Sequence, residues 1–180
     1  MIKIILFRGG FAGDLITALH HIDCFRELTQ EGKIEIDSDL LLLQGNRKDM
    51  TIEDKDQYFN KHPIISCCDT EFALKHKNQT LMITCHDALM SSYFCKRFYQ
   101  YHPYMSKDIS LAEYNTSFIE WSHFWIPKFK QSIDISDIFT NDGFLSKLNR
   151  DLGQREIKLF NDWREINQKS FSNHRETYDQ

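Results

Sequence analysis

Seven consecutive residues, Arg8-Gly9-Gly10-Phe11-Ala12-Gly13-Asp14, hold the densest chemistry in the sequence. Glycines in a short turn let the backbone approach a ligand closely and take conformations closed to other residues. A helix that follows such a turn offers unpaired N–H groups and the positive end of its dipole, where phosphate is stabilised. Arg8 adds a cation. Asp14 adds an anion near the start of that helix. The competing reading is a turn that only joins a strand to a helix, with Asp14 as a favourable first-turn charge.

The run departs from the triphosphate-binding pattern G-x-x-x-x-G-K-[ST]. Arg8 stands where its first glycine belongs, Asp14 where its lysine belongs, and Leu15 where its hydroxyl residue belongs. The missing lysine removes the cation from the outer phosphates, and Asp14 places an anion there instead. Triphosphate hydrolysis is therefore disfavoured, and a phosphate-bearing or nucleotide-type small molecule is the expected ligand.

Two later segments repeat a Cys-x-Asp pattern after an apolar run: Cys67-Cys68-Asp69 and Cys85-His86-Asp87. His86 is a candidate general base, with Asp87 to orient it. Cys68, Cys85 and His86 are conceivable zinc ligands, but their spacing matches no standard zinc pattern and no metal is expected. The alternative is buried cysteines as small hydrophobes, with Asp69 and Asp87 as helix N-caps. Ser91 and Ser92, followed by Lys96 and Arg97, offer hydroxyls and cations for a second phosphate. Solvated helix surface accounts for the same residues. Phe118, Trp121 and Trp125 read as core aromatics at helical spacing, with ligand stacking as the alternative.

These groups need elements to hold them. Residues 2–7, apolar and β-branched apart from Lys3, read as a buried parallel strand. Apolar residues at helical spacing then run from Leu15 to about Leu28. Residues 39–43, ending at Gly45, read as a short helix with a glycine cap. Thr51 and Asp54 form a weak capping box for a helix ending near Pro63. Residues 63–67 and 80–85 read as strands, and 88–101 as a long helix stopped by Pro103. Ser110 and Glu113 open a further helix that Pro127 ends. Residues 133–135 are a candidate last strand. A helix is expected over 143–152, then an amphipathic one with Ile157, Phe160, Trp163 and Ile166 on one face. Strands separated by helices predict a three-layer α/β fold with a small, mainly parallel sheet of about three to five strands flanked by helices. One domain over 1–170 is expected, with a polar, frayed tail over 171–180.

Composition fits this. The chain has 180 residues, 41% hydrophobic and 27% charged, with 14 Phe among its aromatics. A net charge of −4 disfavours wholesale nucleic-acid binding, which depends on a basic surplus. Apolar runs fall short of a membrane span, and the N-terminal MIKIILF reads as a strand and not a signal peptide. Five cysteines, an odd number without a CxxC pair, fit reduced thiols in a cytoplasm.

The order of elements resembles the sulfotransferase branch of the P-loop proteins. The residues that carry the resemblance are the strand and turn through Gly13, the helix bearing Ser91 and Ser92, and a late stretch. That stretch runs Ile133-Asp134-Ile135-Ser136-Asp137-Ile138-Phe139, then Phe144-Leu145-Ser146-Lys147-Leu148 and Leu152-Gly153. The resemblance implies a group transferase using 3′-phosphoadenosine 5′-phosphosulfate. Arg8, Gly9, Gly10, Phe11, Ala12 and Gly13 would bind its phosphosulfate, and Ser91 or Ser92 its 3′-phosphate. The first 25 residues also look like heptosyltransferase-like glycosyltransferases, which implies Asp14 as catalytic base. The Phe- and Asn-rich style is similar to that of small proteins of marine tailed phages. A non-catalytic interaction protein on the same fold is the remaining expectation.

Overall fold

The computed structural model describes residues 2–37, 42–43, 51–61, 65–102, 109–148 and 150–178. Its centre is a parallel sheet in which β1 (Ile4–Leu6) lies between β5 (Ile65–Cys67) and β6 (Thr80–Thr84). Outside β5 lies β4 (Leu42–Leu43), and outside β6 lies β7 (Gln131–Asp134). The register sets Ile4 against both Ile65 and Thr80, and Leu6 against both Cys67 and Met82.

The continuous apolar character of β1 follows from its two covered faces. Strand residues alternate sides, so Ile5, Leu81, Ile83 and Ile133 pack into one core and Ile4, Leu6, Met82 and Cys67 into the other. The first core is covered by α1 (Gly13–His20), α4 (Ala88–Tyr101), α5 (Leu111–Trp125) and α7 (Gln154–Tyr178). The second is covered by α2 (Ile52–Lys61) and α3 (Thr70–Lys75), through Phe59 and Phe72. Lys3, the polar exception in the first strand, donates to the Phe59 carbonyl at 2.7 Å. The expected α/β fold with a parallel sheet between helical layers is present. Among the described residues no helix is long and apolar enough to cross a membrane.

Several caps match the sequence. Asp69 and Asp87 accept from the Phe72 and Met90 amides and start α3 and α4. Ser110 and Glu113 form a reciprocal capping box on α5. Thr51 and Asp54 do the same for α2.

Other elements differ. α1 stops at His20, well before Leu28, and Phe25–Leu28 is β2, paired antiparallel with β3 (Ile34–Ile36). The hairpin turn between them needs Gly32 at φ +79°. The expected short helix over 39–43 lies partly outside the described residues, and Leu42–Leu43 within it is a strand. The expected helix over 143–152 shortens to a 3-10 turn at Phe144–Leu148, preceded by the one-turn α6 (Asp137–Thr140). The expected frayed tail instead continues α7 to Tyr178, because Phe171 stacks on Phe139 with ring centroids 5.5 Å apart. On the same helix Phe160 and Trp163 are buried, but Ile157 faces solvent.

Candidate functional site

The turn after β1 lies at the carboxyl edge of the sheet, where the chain leaves the central strand. Its neighbours β5 and β6 belong to halves that extend in opposite directions. Ligands of open parallel sheets bind at such a switch point. A cavity of about 410 Å³ opens there. The whole run from Phe7 to Leu15 lines it, facing Lys33 on the hairpin, Cys68 after β5, Arg97, Phe98 and Tyr101 on α4, and His102 that caps it.

The turn is built with some strain. Gly10 takes φ +92°, and Ala12 takes φ 51°, the only non-glycine with positive φ among the described residues. A left-handed alanine costs about 1–2 kcal/mol. The Phe11 amide donates to the Arg8 carbonyl at 3.2 Å, and the Tyr114 hydroxyl donates to the Gly9 carbonyl at 3.0 Å. Phe11 is fully buried and stacked on Phe118 at 3.4 Å between centroids. It anchors the turn to α5 and presents no polar group. Ala12 is the N-cap of α1 and supplies no capping side chain. Among the described residues no side-chain cap therefore takes the first N–H groups of α1.

All three glycines also serve packing. A Cβ at Gly9 or Gly10 would stand 2.5 Å from Phe98, and one at Gly13 would stand 2.1 Å from the Phe7 ring. The glycines thus bring α4 and the Phe7 ring against the turn, a reason for glycine separate from ligand approach.

Charge at the site runs against the chain average. Arg8, Lys33 and Arg97 face the cavity against one lining carboxylate, Asp14. Arg8 donates to the Ser117 hydroxyl at 2.8 Å, with its guanidinium 5.2 Å from the Tyr114 ring centre. Arg97 is spent on the Tyr93 and Tyr101 hydroxyls and the Glu31 carbonyl at 2.7–2.9 Å. Asp14 sits in the first turn of α1 with no hydrogen-bond partner on its carboxylate among the described residues. Burial pushes its pKa up to about 6, only partly offset by Lys33. A partly buried carboxylate at that value, with no hydrogen-bond partner among the described residues, is suited to exchanging a proton with a ligand.

The other predicted residues lie elsewhere. His86 is exposed beyond the end of β6, outside the cavity. Its Nε2 lies 3.8 Å from Asp134, and its ring 5.0 Å from that of His123. Asp87, expected to orient it, caps α4 instead. Ser91 is fully buried and its hydroxyl donates to Asn115, while Ser92 is 8% exposed. Neither serine lines the cavity; Ser91 turns to Asn115 on α5 instead. Of the basic pair behind them, Arg97 reaches the cavity and Lys96 does not. Burial pushes the thiols of Cys67 and Cys95 up to about 12, so they behave as small apolar groups.

Lys33 went unnoticed in the sequence. The signal was present as Phe25–Leu28, a turn ending in Gly32, then Ile34 and Ile36, a hairpin pattern with glycine at the bulge. Comparison of the chain with family models, with curated proteins and with solved structures found no match.

Proposed function

We propose that this chain is a group transferase that binds a nucleotide-type, phosphate-bearing donor against the β1–α1 turn and uses Asp14 as the base toward its acceptor. The observation that carries the reading is one cavity joining three features. They are Arg8, the start of α1 without a side-chain cap, and a carboxylate whose pKa burial raises to about 6 and which takes no hydrogen bond among the described residues. The first two suit a donor phosphate. The third suits removal of a proton from an acceptor hydroxyl, with Asp14 returning that proton to solvent afterwards.

Two donor chemistries fit. A sulfotransferase-like, P-loop-related reading takes 3′-phosphoadenosine 5′-phosphosulfate. A glycosyltransferase-like reading takes a nucleotide sugar, and the placement of Asp14 favours it. The packing of the glycines against Phe98 and Phe7 favours a further reading, a non-catalytic interaction protein that keeps the turn for its fold.

Thermal unfolding with 3′-phosphoadenosine 5′-phosphate, a nucleotide sugar and ATP in parallel separates the three. A ligand at 100 times its dissociation constant adds about 2.7 kcal/mol. Stabilisation by one of the first two selects the donor, and stabilisation by none leaves the non-catalytic reading.

A further inference from the structure

We infer that the lysine missing from the glycine turn is replaced from the hairpin by Lys33, and that the cavity is built for a ligand with two linked anionic groups, a diphosphate or phosphosulfate. This rests on the donor-binding reading and specifies its ligand. In the turn itself, position 14 carries an anion, so a phosphate at the start of α1 meets repulsion unless cations flank it. Arg8 supplies one from the turn. Lys33 supplies another from the hairpin, which reaches across to the same cavity.

The hairpin is fastened where Lys33 leaves it. The Gly32 carbonyl accepts from Asn167 Nδ2 at 3.3 Å, and the Glu31 carbonyl from Arg97 at 2.7 Å. The Lys33 carbonyl accepts from the Thr29 amide at 2.9 Å. The turn just before Lys33 is thus tied to α4 and α7, while the Lys33 side chain remains 39% exposed. Its Nζ lies 2.5 Å from Glu35 and 5.7 Å from the Tyr101 ring centre. An ion pair this exposed holds weakly and yields readily to a better anion. Lys33 also acts on the far wall: burial lowers the His102 pKa and the Lys33 charge adds to that, while the same charge opposes the burial that raises Asp14.

Two cations from different elements, set about an open helix start, suit two joined anions better than one. A single phosphate satisfies Arg8 and the helix amides and leaves Lys33 on Glu35. A second anionic group, bridged to the first, draws Lys33 off Glu35. A bridged pair with both ends substituted carries two negative charges, which the three lining cations and one carboxylate balance closely.

The test is isothermal titration of the parent, Lys33→Met, Lys33→Glu and Lys96→Met with inorganic pyrophosphate and inorganic phosphate. Circular dichroism checks that each variant is folded. The parent is expected to bind pyrophosphate at least about tenfold more tightly than phosphate. Lys33→Met should weaken pyrophosphate about ten- to a hundredfold, the loss of one charge-assisted contact, and Lys33→Glu should weaken it further. Phosphate should change less than about threefold. Lys96→Met, the same charge change on exposed α4 surface, should match the parent. Equal pyrophosphate affinity in the parent and Lys33→Met overturns the inference and leaves the donor reading standing if a nucleotide donor still binds. Equal losses in Lys33→Met and Lys96→Met, or no preference for pyrophosphate, also overturn it. A parent that binds neither pyrophosphate nor any donor overturns both.

Discussion

Asp14 and His20 occupy the first and last turns of the same short helix, and burial drives both toward their neutral forms. Asp14 is pushed up to about 6 and His20 down to about 4. The helix dipole favours the charged form of each at its own end, by about 0.3–1 kcal/mol. Moving a carboxyl from 3.8 to about 6 disfavours its charge by about 2–3 kcal/mol, so desolvation wins.

The two groups act on stability in opposite directions. Between pH 4 and 6 the native Asp14 keeps a proton that the unfolded chain has released, so this group weakens the fold as pH rises. The native His20 stays neutral between pH 6.5 and 4 while the unfolded one charges, so it weakens the fold as pH falls. Asp14→Asn should therefore be more stable than the parent by about 2 kcal/mol at pH 7, and by much less at pH 4. Urea denaturation at pH 4, 5.5 and 7 measures the difference. A gap that does not change with pH would show that Asp14 titrates normally.

Gly13 is held by Phe7 before any ligand arrives. Gly13→Val should cost about 3 kcal/mol through overpacking, since a Cβ there meets the ring at 2.1 Å. Phe7→Leu in the same chain should recover part of that loss, a coupling expected of residues in contact. Urea midpoints of the two single variants and the double variant decide it, and strict additivity would argue against the contact.

Arg8 and His86 should separate cleanly. Arg8→Ala is expected to weaken binding of whichever donor stabilises the parent by about ten- to a hundredfold. His86→Ala should change it less than about twofold, because His86 stands outside the cavity beside Asp134. Titration of both variants with that donor checks this, and a large His86 effect would extend the site to the end of β6.

Asn167, fully buried, links three elements through Gly32, Tyr93 and Trp163. Asn167→Leu leaves the Gly32 carbonyl without its side-chain donor and should destabilise the fold by about 1–3 kcal/mol. Amide exchange at Thr29 and Lys33 should quicken more than in β6. Uniform quickening across the sheet would mean that the hairpin is not separately held.

Local signals in the sequence located what local physics decides. The apolar run over 2–7, the aspartate caps at 69 and 87, and the Ser110–Glu113 box all stand where the sequence puts them. Helical spacing carried on past His20 misled, because Phe25 and Leu28 serve a hairpin whose partner strand lies beyond Gly32. The site was legible at the turn, where one segment supplies Arg8 and Asp14. It was illegible at Lys33, which reaches the cavity only through the packing of the hairpin, whereas Arg97 was a candidate cation in the sequence and lines the cavity from α4. His86 and Ser91 lie outside this cavity for a related reason. A place near the end of a strand does not say which way a side chain leaves it.

The order of strands in the sheet also sets the order of synthesis against the order of assembly. β1 is translated before either of its partners, yet it lies between β5 and β6 and pairs with both. Its apolar residues therefore wait while the chain grows past residue 84. Non-local pairing of this kind slows folding and leaves an unpaired strand open to the wrong neighbour. The nascent chain carries an unpaired apolar strand at residues 2–7 until both partners are made, and a chaperone that holds short apolar strands has a target there.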